Sequence, residues 1–184
     1  MGRRIREFDW AATPFGPHEG WPQALRGALG ICLQSSFPTA IYWGPELRLL
    51  YNDAWAPIAA GKHPWALGRP ALEVWTDIWH VIEPQFRGVL EEGRGLSTFD
   101  QMLPMQRGER VEETYWNYSL TPILDEGGAV VGIFNQGNET TEKVVAARKR
   151  QAEVDRLREL FKQAPGAMAL LHGPRHVFEV TNAA

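Results

Sequence analysis

The residues of this chain that could carry chemistry are few and scattered. Its five histidines do not fall into a His-Glu-x-x-His pair, and the sequence contains neither a nucleophile elbow nor a phosphate-binding loop. Cys32 is the single cysteine, which excludes an intramolecular disulfide framework and a cysteine-rich metal site. We therefore expect a chain with no catalytic residues and no metal site of its own.

Aromatic side chains are the unusual component of the composition. The sequence has eight tryptophans and eight phenylalanines in 184 residues. Such rings supply much buried area each, so they can build a core, or they can line a pocket for a planar ligand. Composition alone favours the core.

The charge distribution narrows the choice of partners. The net charge is −3, with no block of basic residues, so we expect no nucleic-acid partner. The basic start is not followed by the apolar run of a secretory signal, and no stretch approaches the roughly 18 apolar residues of a membrane span. We expect a cytoplasmic chain that does not associate with a membrane.

Residues 1–36 predict an extension that ends in an amphipathic helix. A turn-rich, extended lead-in precedes Pro22, a residue well tolerated at a first helical position. Leu25, Leu29 and Leu33 then recur on one face together with Cys32. This stripe predicts a helix packed against a sheet or against a partner's copy of the same helix.

Residues 37–141 predict a compact α+β domain. Two apolar runs around Gly44-Pro45 indicate a hairpin, short helical turns follow, and Ile78–Glu92 has the apolar spacing of a longer helix. Three further strands are expected, at Leu96–Leu103, Val111–Thr121 and Ala129–Phe134, with a turn over Pro104–Arg110. The order predicts a five-stranded antiparallel sheet with helices on one face.

Residues 142–162 predict a helical linker, because they lack Gly and Pro and are rich in charge and alanine. Ala147, Val154 and Phe161 are spaced by seven, and Leu157 supplies an intermediate position. Arg150 interrupts this seam. We expect two copies of the helix to pair in parallel in a homodimer.

Residues 163–184 repeat the earlier hairpin. The order of a proline, an apolar run, Gly-Pro, a second apolar run and Asn-x-Ala occurs from Pro38 to Ala54 and again from Pro165 to Ala184. We interpret this tail as the truncated start of a second copy of the domain.

A set of short motifs along residues 8–145 carries a resemblance to a known family. The motifs are Asp9-Trp10, Thr13-Pro14-Phe15-Gly16-Pro17, Gly20-Trp21-Pro22, Trp43-Gly44-Pro45-Glu46, Tyr51-Asn52-Asp53-Ala54 and Glu113-Thr114-Tyr115. Together with the order of strands and helices, they resemble the N-terminal PAS domains of multidomain bacterial sensor histidine kinases, hybrid kinases included. The resemblance implies a PAS fold in a two-component sensor whose kinase domains follow in cis.

The resemblance also implies where a ligand and a signal would act. Glu139, Thr140 and Thr141 match the family's strand-end signalling motif, with Glu in place of Asp and Thr in place of the central Ile. A cavity between helices and sheet is expected to hold a small apolar or aromatic ligand. The aromatic residues expected to line it are Tyr42, Trp55, Trp75, Trp79, Phe86, Trp116, Tyr118 and Phe134.

Two cofactors remain alternatives within this family. His80 begins the helix that supplies the axial ligand in haem-binding PAS domains, and apolar residues surround it. The flavin-photochemical LOV subgroup needs a cysteine on a mid-domain helix, whereas Cys32 lies in the leading helix, so only non-covalent flavin is left. We expect a colourless protein, and a ligand-free dimerisation scaffold is the further alternative.

Overall fold

The computed structural model describes residues 1–163 and 166, together with the backbone of 169–172 and 177–181. The chain divides into two compact units, Met1–Thr141 and Glu142–Ala184. Among the described residues, no helix has the length and apolar character that crossing a bilayer requires.

The first unit is an α+β domain built on one sheet. Its strands are β1 (Thr39–Trp43), β2 (Arg48–Tyr51), β3 (Leu96–Arg107), β4 (Arg110–Leu124) and β5 (Val130–Glu139). Its helices are α1 (Gly2–Glu7), α2 (Gln23–Gln34), α3 (Ala56–Ala59), α4 (Ala71–Val74) and α5 (Trp79–Glu92). The strands pair antiparallel in the order β2-β1-β5-β4-β3, which confirms the predicted five-stranded sheet.

Helices cover the two faces of the sheet at different places. Tyr42 and its partner Leu49 share the face toward α5, while Ile41 and Leu50 share the opposite face, because side chains alternate along a strand. All four are buried. The helix α2 contacts β1 and β2 and buries its predicted stripe, with Leu33 only partly covered.

The N-terminal lead-in is more helical than the sequence predicted. The short helix α1 buries Ile5, and single 3-10 turns lie at Trp10–Ala12 and His18–Gly20. The indole of Trp10 donates to the Ile5 carbonyl at 2.6 Å and meets the Trp21 ring at 5.1 Å. Tertiary contacts of these rings therefore fix a segment whose local sequence favours turns.

Three strands run longer than predicted, since β3 ends at Arg107, β4 at Leu124 and β5 at Glu139. The turn expected over Pro104–Arg110 is confined to Gly108 and its neighbour, and Pro104 pairs with Glu113 inside β3. A proline is tolerated there because β3 is an edge strand and one side of it needs no ladder donor. Likewise β5 continues through polar residues, because β1 pairs with it as far as Gln136 and β4 as far as Glu139.

The second unit contains the helix α6 (Thr141–Lys162), which begins at the last residue of the first unit, and the strands β6 (Ala169–His172) and β7 (Val177–Thr181). The two strands pair antiparallel, as the internal repeat indicated. The repeated Gly-Pro and Asn-x-Ala lie outside the described residues.

Candidate functional site

A cavity of about 60 Å³ lies between the sheet and α5. Six of the predicted aromatic residues line it: Tyr42, Trp55, Trp75, Phe86, Trp116 and Tyr118. The remaining lining residues are Ile58, Ile78, Ile82, Leu103, Met105, Leu120, Asn135 and Gly137. No charged side chain belongs to this lining, so the cavity favours an uncharged occupant.

The other two predicted rings lie elsewhere. Phe134 pairs with Ile41 and therefore shares the face of the sheet opposite to Tyr42. Trp79 packs edge-on behind Phe86, with ring centroids 6.2 Å apart, and does not belong to the lining. The placement of Phe134 corrects the sequence interpretation, which did not determine the register of β5.

Sequence reasoning missed Asn135 and Gly137, which lie on the cavity face of β5. The prediction ended this strand at Phe134, so the alternation that carries Ile133, Asn135 and Gly137 to one face was not available. Asn135 donates from Nδ2 to the Ser119 carbonyl at 3.1 Å.

Two tyrosine hydroxyls lie among the rings, in addition to the Asn135 amide. The Trp75 indole N–H donates to the Tyr42 hydroxyl at 3.0 Å, and the Tyr118 hydroxyl donates to Gln85 Oε1 at 2.7 Å. Desolvation by burial raises the pKa of Tyr42 and of Tyr118. Both hydroxyls therefore stay neutral at physiological pH.

A carboxylate joins three segments beside the cavity. Asp77 accepts from Lys62 Nζ at 3.0 Å and from the backbone N–H of Gln106 at 2.8 Å. The Lys62 ammonium also lies 4.6 Å from the centre of the Trp75 ring, a cation–π distance. Ile78 and Met105, the neighbours of these residues in sequence, line the cavity, so the Asp77 contacts hold its wall together.

The structure does not place His80 at the cavity. His80 is exposed at the second residue of α5, because it lies about 200° around the helix from Ile78 and from Ile82, which face inward. Among the described residues, no cluster of three metal-ligating side chains occurs.

Neither a haem nor a flavin fits the cavity in this structure. Sites for cofactors and drug-sized ligands usually span about 300–1,000 Å³, several times the volume found here. Cys32 lies in α2 and its thiol contacts the Thr39 carbonyl at 3.4 Å. Burial raises the pKa of Cys32 to about 12, so this thiol is protonated and unreactive.

The predicted signal-exit residues join β4 and β5 to the start of α6. The Thr140 N–H donates to the Tyr115 carbonyl at 2.7 Å, and the Tyr115 N–H donates to Thr141 Oγ1 at 2.9 Å. The Thr141 hydroxyl donates to Glu139 Oε1 at 2.6 Å, and Arg107 forms an ion pair with Glu139 at 2.5 Å. The longer Glu side chain thus holds both the end of β3 and the first residue of the helix.

The predicted seam of α6 is largely exposed along the described chain. Val154 is 42% and Leu157 56% exposed, Ala147 is exposed as well, and Phe161 is half-buried. The neighbouring Leu160 is 57% exposed. A run of exposed apolar side chains on a 22-residue helix is what a pairing surface requires.

The comparisons bear on the fold. No family model and no curated protein matches the sequence. Among solved structures, an RNA-binding light-oxygen-voltage receptor is similar with a TM-score of 0.50 and 18% identity, over 80% of this chain and 43% of that one. The Rhodobacter sphaeroides LOV protein is similar with a TM-score of 0.50 and 16% identity, over 68% of this chain and 75% of that one.

These structures are alike in fold alone, and the chain spans less than half the length of the first of them. With the strand order β2-β1-β5-β4-β3 and the helices against the sheet, the likeness shows that the described α+β domain has the PAS/LOV fold.

Proposed function

We propose that this chain is a sensory module that binds a small ligand between sheet and α5, dimerises through α6 and passes a conformational bias to output domains in cis. The resemblance of its motifs to histidine-kinase PAS domains supports a kinase as the output. On this proposal the chain itself is not an enzyme, and its role is regulatory.

One observation carries the proposal: the cavity and the exit share a strand segment. The Trp116 ring lines the cavity, and the backbone of Tyr115, one residue earlier, makes both hydrogen bonds to Thr140 and Thr141. An occupant that displaces or fixes the Trp116 ring therefore acts on the backbone that holds the first turn of α6. A shift between two arrangements of such packed elements needs only a few kcal/mol.

The exposed seam supports dimerisation through α6. The seam is short, so pairing of the isolated helix is weak and depends on the flanking domains. Arg150 on the same face keeps pairing marginal, which allows two registers to compete. A parallel pair brings the downstream ends of both chains together, as a dimeric output domain requires.

The test is disulfide crosslinking across the seam. In a Cys32→Ser background, Val154→Cys should crosslink under mild oxidation, whereas Ala152→Cys, about 200° away around the helix, should not. A ligand that binds the cavity should change the rate of the Val154→Cys crosslink. Thr141→Val, which removes the acceptor of the Tyr115 N–H, should abolish that change and leave ligand binding intact.

Three outcomes would count against the proposal. Equal crosslinking at both positions would mean that α6 does not pair through this seam. A dimer without either crosslink would place dimerisation elsewhere. A ligand effect that survives Thr141→Val would mean that the junction at Tyr115 does not carry the signal.

A dimerisation scaffold without a ligand is the second candidate. The small volume of the cavity favours it, because most of the space between sheet and α5 is filled by rings. It predicts the same crosslink at position 154, and a rate that does not respond to any cavity ligand.

A further inference from the structure

The Tyr42 hydroxyl has a donor proton without a partner. This residue is 3% exposed, and its oxygen accepts the Trp75 indole N–H at 3.0 Å. A phenol also has one proton to donate, and no described residue offers that proton an acceptor. Tyr118 differs, since its hydroxyl donates to Gln85.

The Tyr42 oxygen already accepts one hydrogen bond, from Trp75, so what is unused is its capacity to donate a second one. Most buried polar groups in native proteins find partners, and an unused donor that faces a cavity is available to a ligand. Tyr42 lines the cavity. A ligand with an acceptor atom that enters the cavity can therefore accept a hydrogen bond from the Tyr42 hydroxyl.

The cavity also limits the size and charge of what enters. One water needs about 10–15 Å³ by the same kind of measure, so about 60 Å³ holds roughly four non-hydrogen atoms. The lining around Tyr42 is otherwise mostly apolar and carries no charged side chain. Several waters in this cavity would find few hydrogen-bond partners, whereas one small molecule with an apolar body would fill the cavity and contact its apolar lining.

We infer that the cavity takes a small uncharged molecule of about four or five non-hydrogen atoms, apolar except for one acceptor that receives the Tyr42 proton. This inference rests on the proposed function and specifies its ligand class. Small ketones, aldehydes and ethers have this chemistry. Alcohols satisfy it as well, through their oxygen.

Acetone and isobutene make a matched pair of probes, because they share a shape and four non-hydrogen atoms and differ by C=O against C=CH₂. Affinities are measured from ¹H–¹⁵N spectra of the tryptophan indoles during titration of the whole chain. We expect Tyr42→Phe to weaken acetone binding by about three- to ten-fold, the value of one neutral hydrogen bond. Isobutene binding should be unchanged or slightly tighter.

Tyr51→Phe is the control, since the hydroxyl that it removes is bonded to His63 Nδ1 and Tyr51 does not belong to the cavity lining. It should leave the ratio of the two affinities as in the unmodified protein. In the unmodified protein, acetone should also shift the Trp75 indole resonance more than isobutene does, because that N–H is bonded to the same oxygen. This measurement does not depend on how the variant folds.

The possible results distinguish failure of this ligand class from failure of the proposed sensory function. If Tyr42→Phe weakens the binding of both probes equally, or of neither, Tyr42 does not donate to the acceptor of the ligand and the inference is overturned. If neither probe binds at millimolar concentration but a larger compound binds the cavity, the ligand class is wrong while the sensory module stands. If nothing binds, both fail.

Discussion

Replacing Gly137 by alanine should destabilise the domain strongly, although the change adds one methyl group. Gly137 lies opposite Tyr118 where β5 pairs with β4. A Cβ at position 137 would lie 2.6 Å from the Tyr118 Cβ and 2.7 Å from the Asn117 carbonyl oxygen. Directly opposed Cβ atoms normally stand about 4.5–5.5 Å apart. Neither obstructing atom can rotate away, so the two strands must separate.

The magnitude follows from overpacking and its consequences. Inserting a methyl group into a filled site costs about 1–3 kcal/mol, and separating β5 from β4 weakens ladder hydrogen bonds worth about 1 kcal/mol each. We expect Gly137→Ala to lower the free energy of unfolding by about 2–4 kcal/mol, a large share of the 5–15 kcal/mol typical of a domain.

Gly88→Ala is the matched control. Gly88 lies inside α5, and a Cβ there meets nothing within 4 Å. Alanine in a helix is better than glycine by about 0.5–1 kcal/mol, so the same chemical change should stabilise the protein.

The assay is urea unfolding followed by tryptophan fluorescence. With a slope of about 2 kcal/mol per molar urea, the midpoints of the two variants should differ by roughly 1.3–2.5 M. If Gly137→Ala unfolds within about 0.3 M of the unmodified protein, β4 and β5 are not as close at Gly137 as the structure has them.

Three further predictions concern stability and the thiol. Leu29→Ala should cost about 2–5 kcal/mol in urea unfolding, because Leu29 is buried in the core, whereas Ile31→Ala on the exposed face of α2 should cost less than about 1 kcal/mol. Asp77→Ala should cost about 0.5–1.5 kcal/mol, the net value of the hydrogen bond that Asp77 accepts from the exposed Gln106 N–H, and acetone should leave the cavity faster in relaxation-dispersion spectra. The pKa of Cys32 is raised to about 12 from 9.0, so the folded state keeps a proton that the unfolded chain releases. Its contribution to stability is constant below pH 9 and falls as the pH rises from 9 to 12. Urea midpoints measured at pH 8, 9.5 and 11 should therefore fall more in the unmodified protein than in Cys32→Ser.

The elements with a strong period were predictable from the sequence. The stripe of Leu25, Leu29 and Cys32 determined which face of α2 is buried, and the hairpin around Gly44-Pro45 was read from two apolar runs. In both cases the local pattern and the tertiary contacts favour the same structure. A segment whose local pattern agrees with its tertiary contacts can be predicted from the sequence.

The errors lie where local pattern and tertiary context disagree. The polar residues after Phe134 carry no strand signal, yet the ladders of β1 and β4 hold them extended. The lead-in from Phe8 to Pro22 was predicted to be extended because it is rich in turn formers, whereas burial of Trp10 and Trp21 folds it into two 3-10 turns. Backbone pairing and ring packing are properties of the fold, so no local window could reveal them.

The candidate site shows the same division. Rings expected at the cavity line it where the strand and the face of the strand on which they lie were predicted correctly, as for Tyr42 and Trp116. Phe134 was misplaced because the register of one strand determines the face of each of its residues. The partners of the Tyr42 and Tyr118 hydroxyls could not be foreseen, since Trp75 and Gln85 are each 33 residues away in the sequence.

The inner row of β5 gives a reason to favour a ligand over a bare scaffold. Along the face of β5 that lines the cavity, the residues change from Ile133 to Asn135 and then to Gly137 as the strand approaches α6. Apolar side-chain volume is therefore lost where the cavity lies. An empty cavity costs about 24 cal/mol per Å³, or about 1.4 kcal/mol for 60 Å³, and an apolar residue in place of Asn135 would remove part of that cost. A scaffold gains nothing from keeping the gap. A sensor does, because the strand that bounds the gap ends two residues later at Glu139, which holds the first residue of α6.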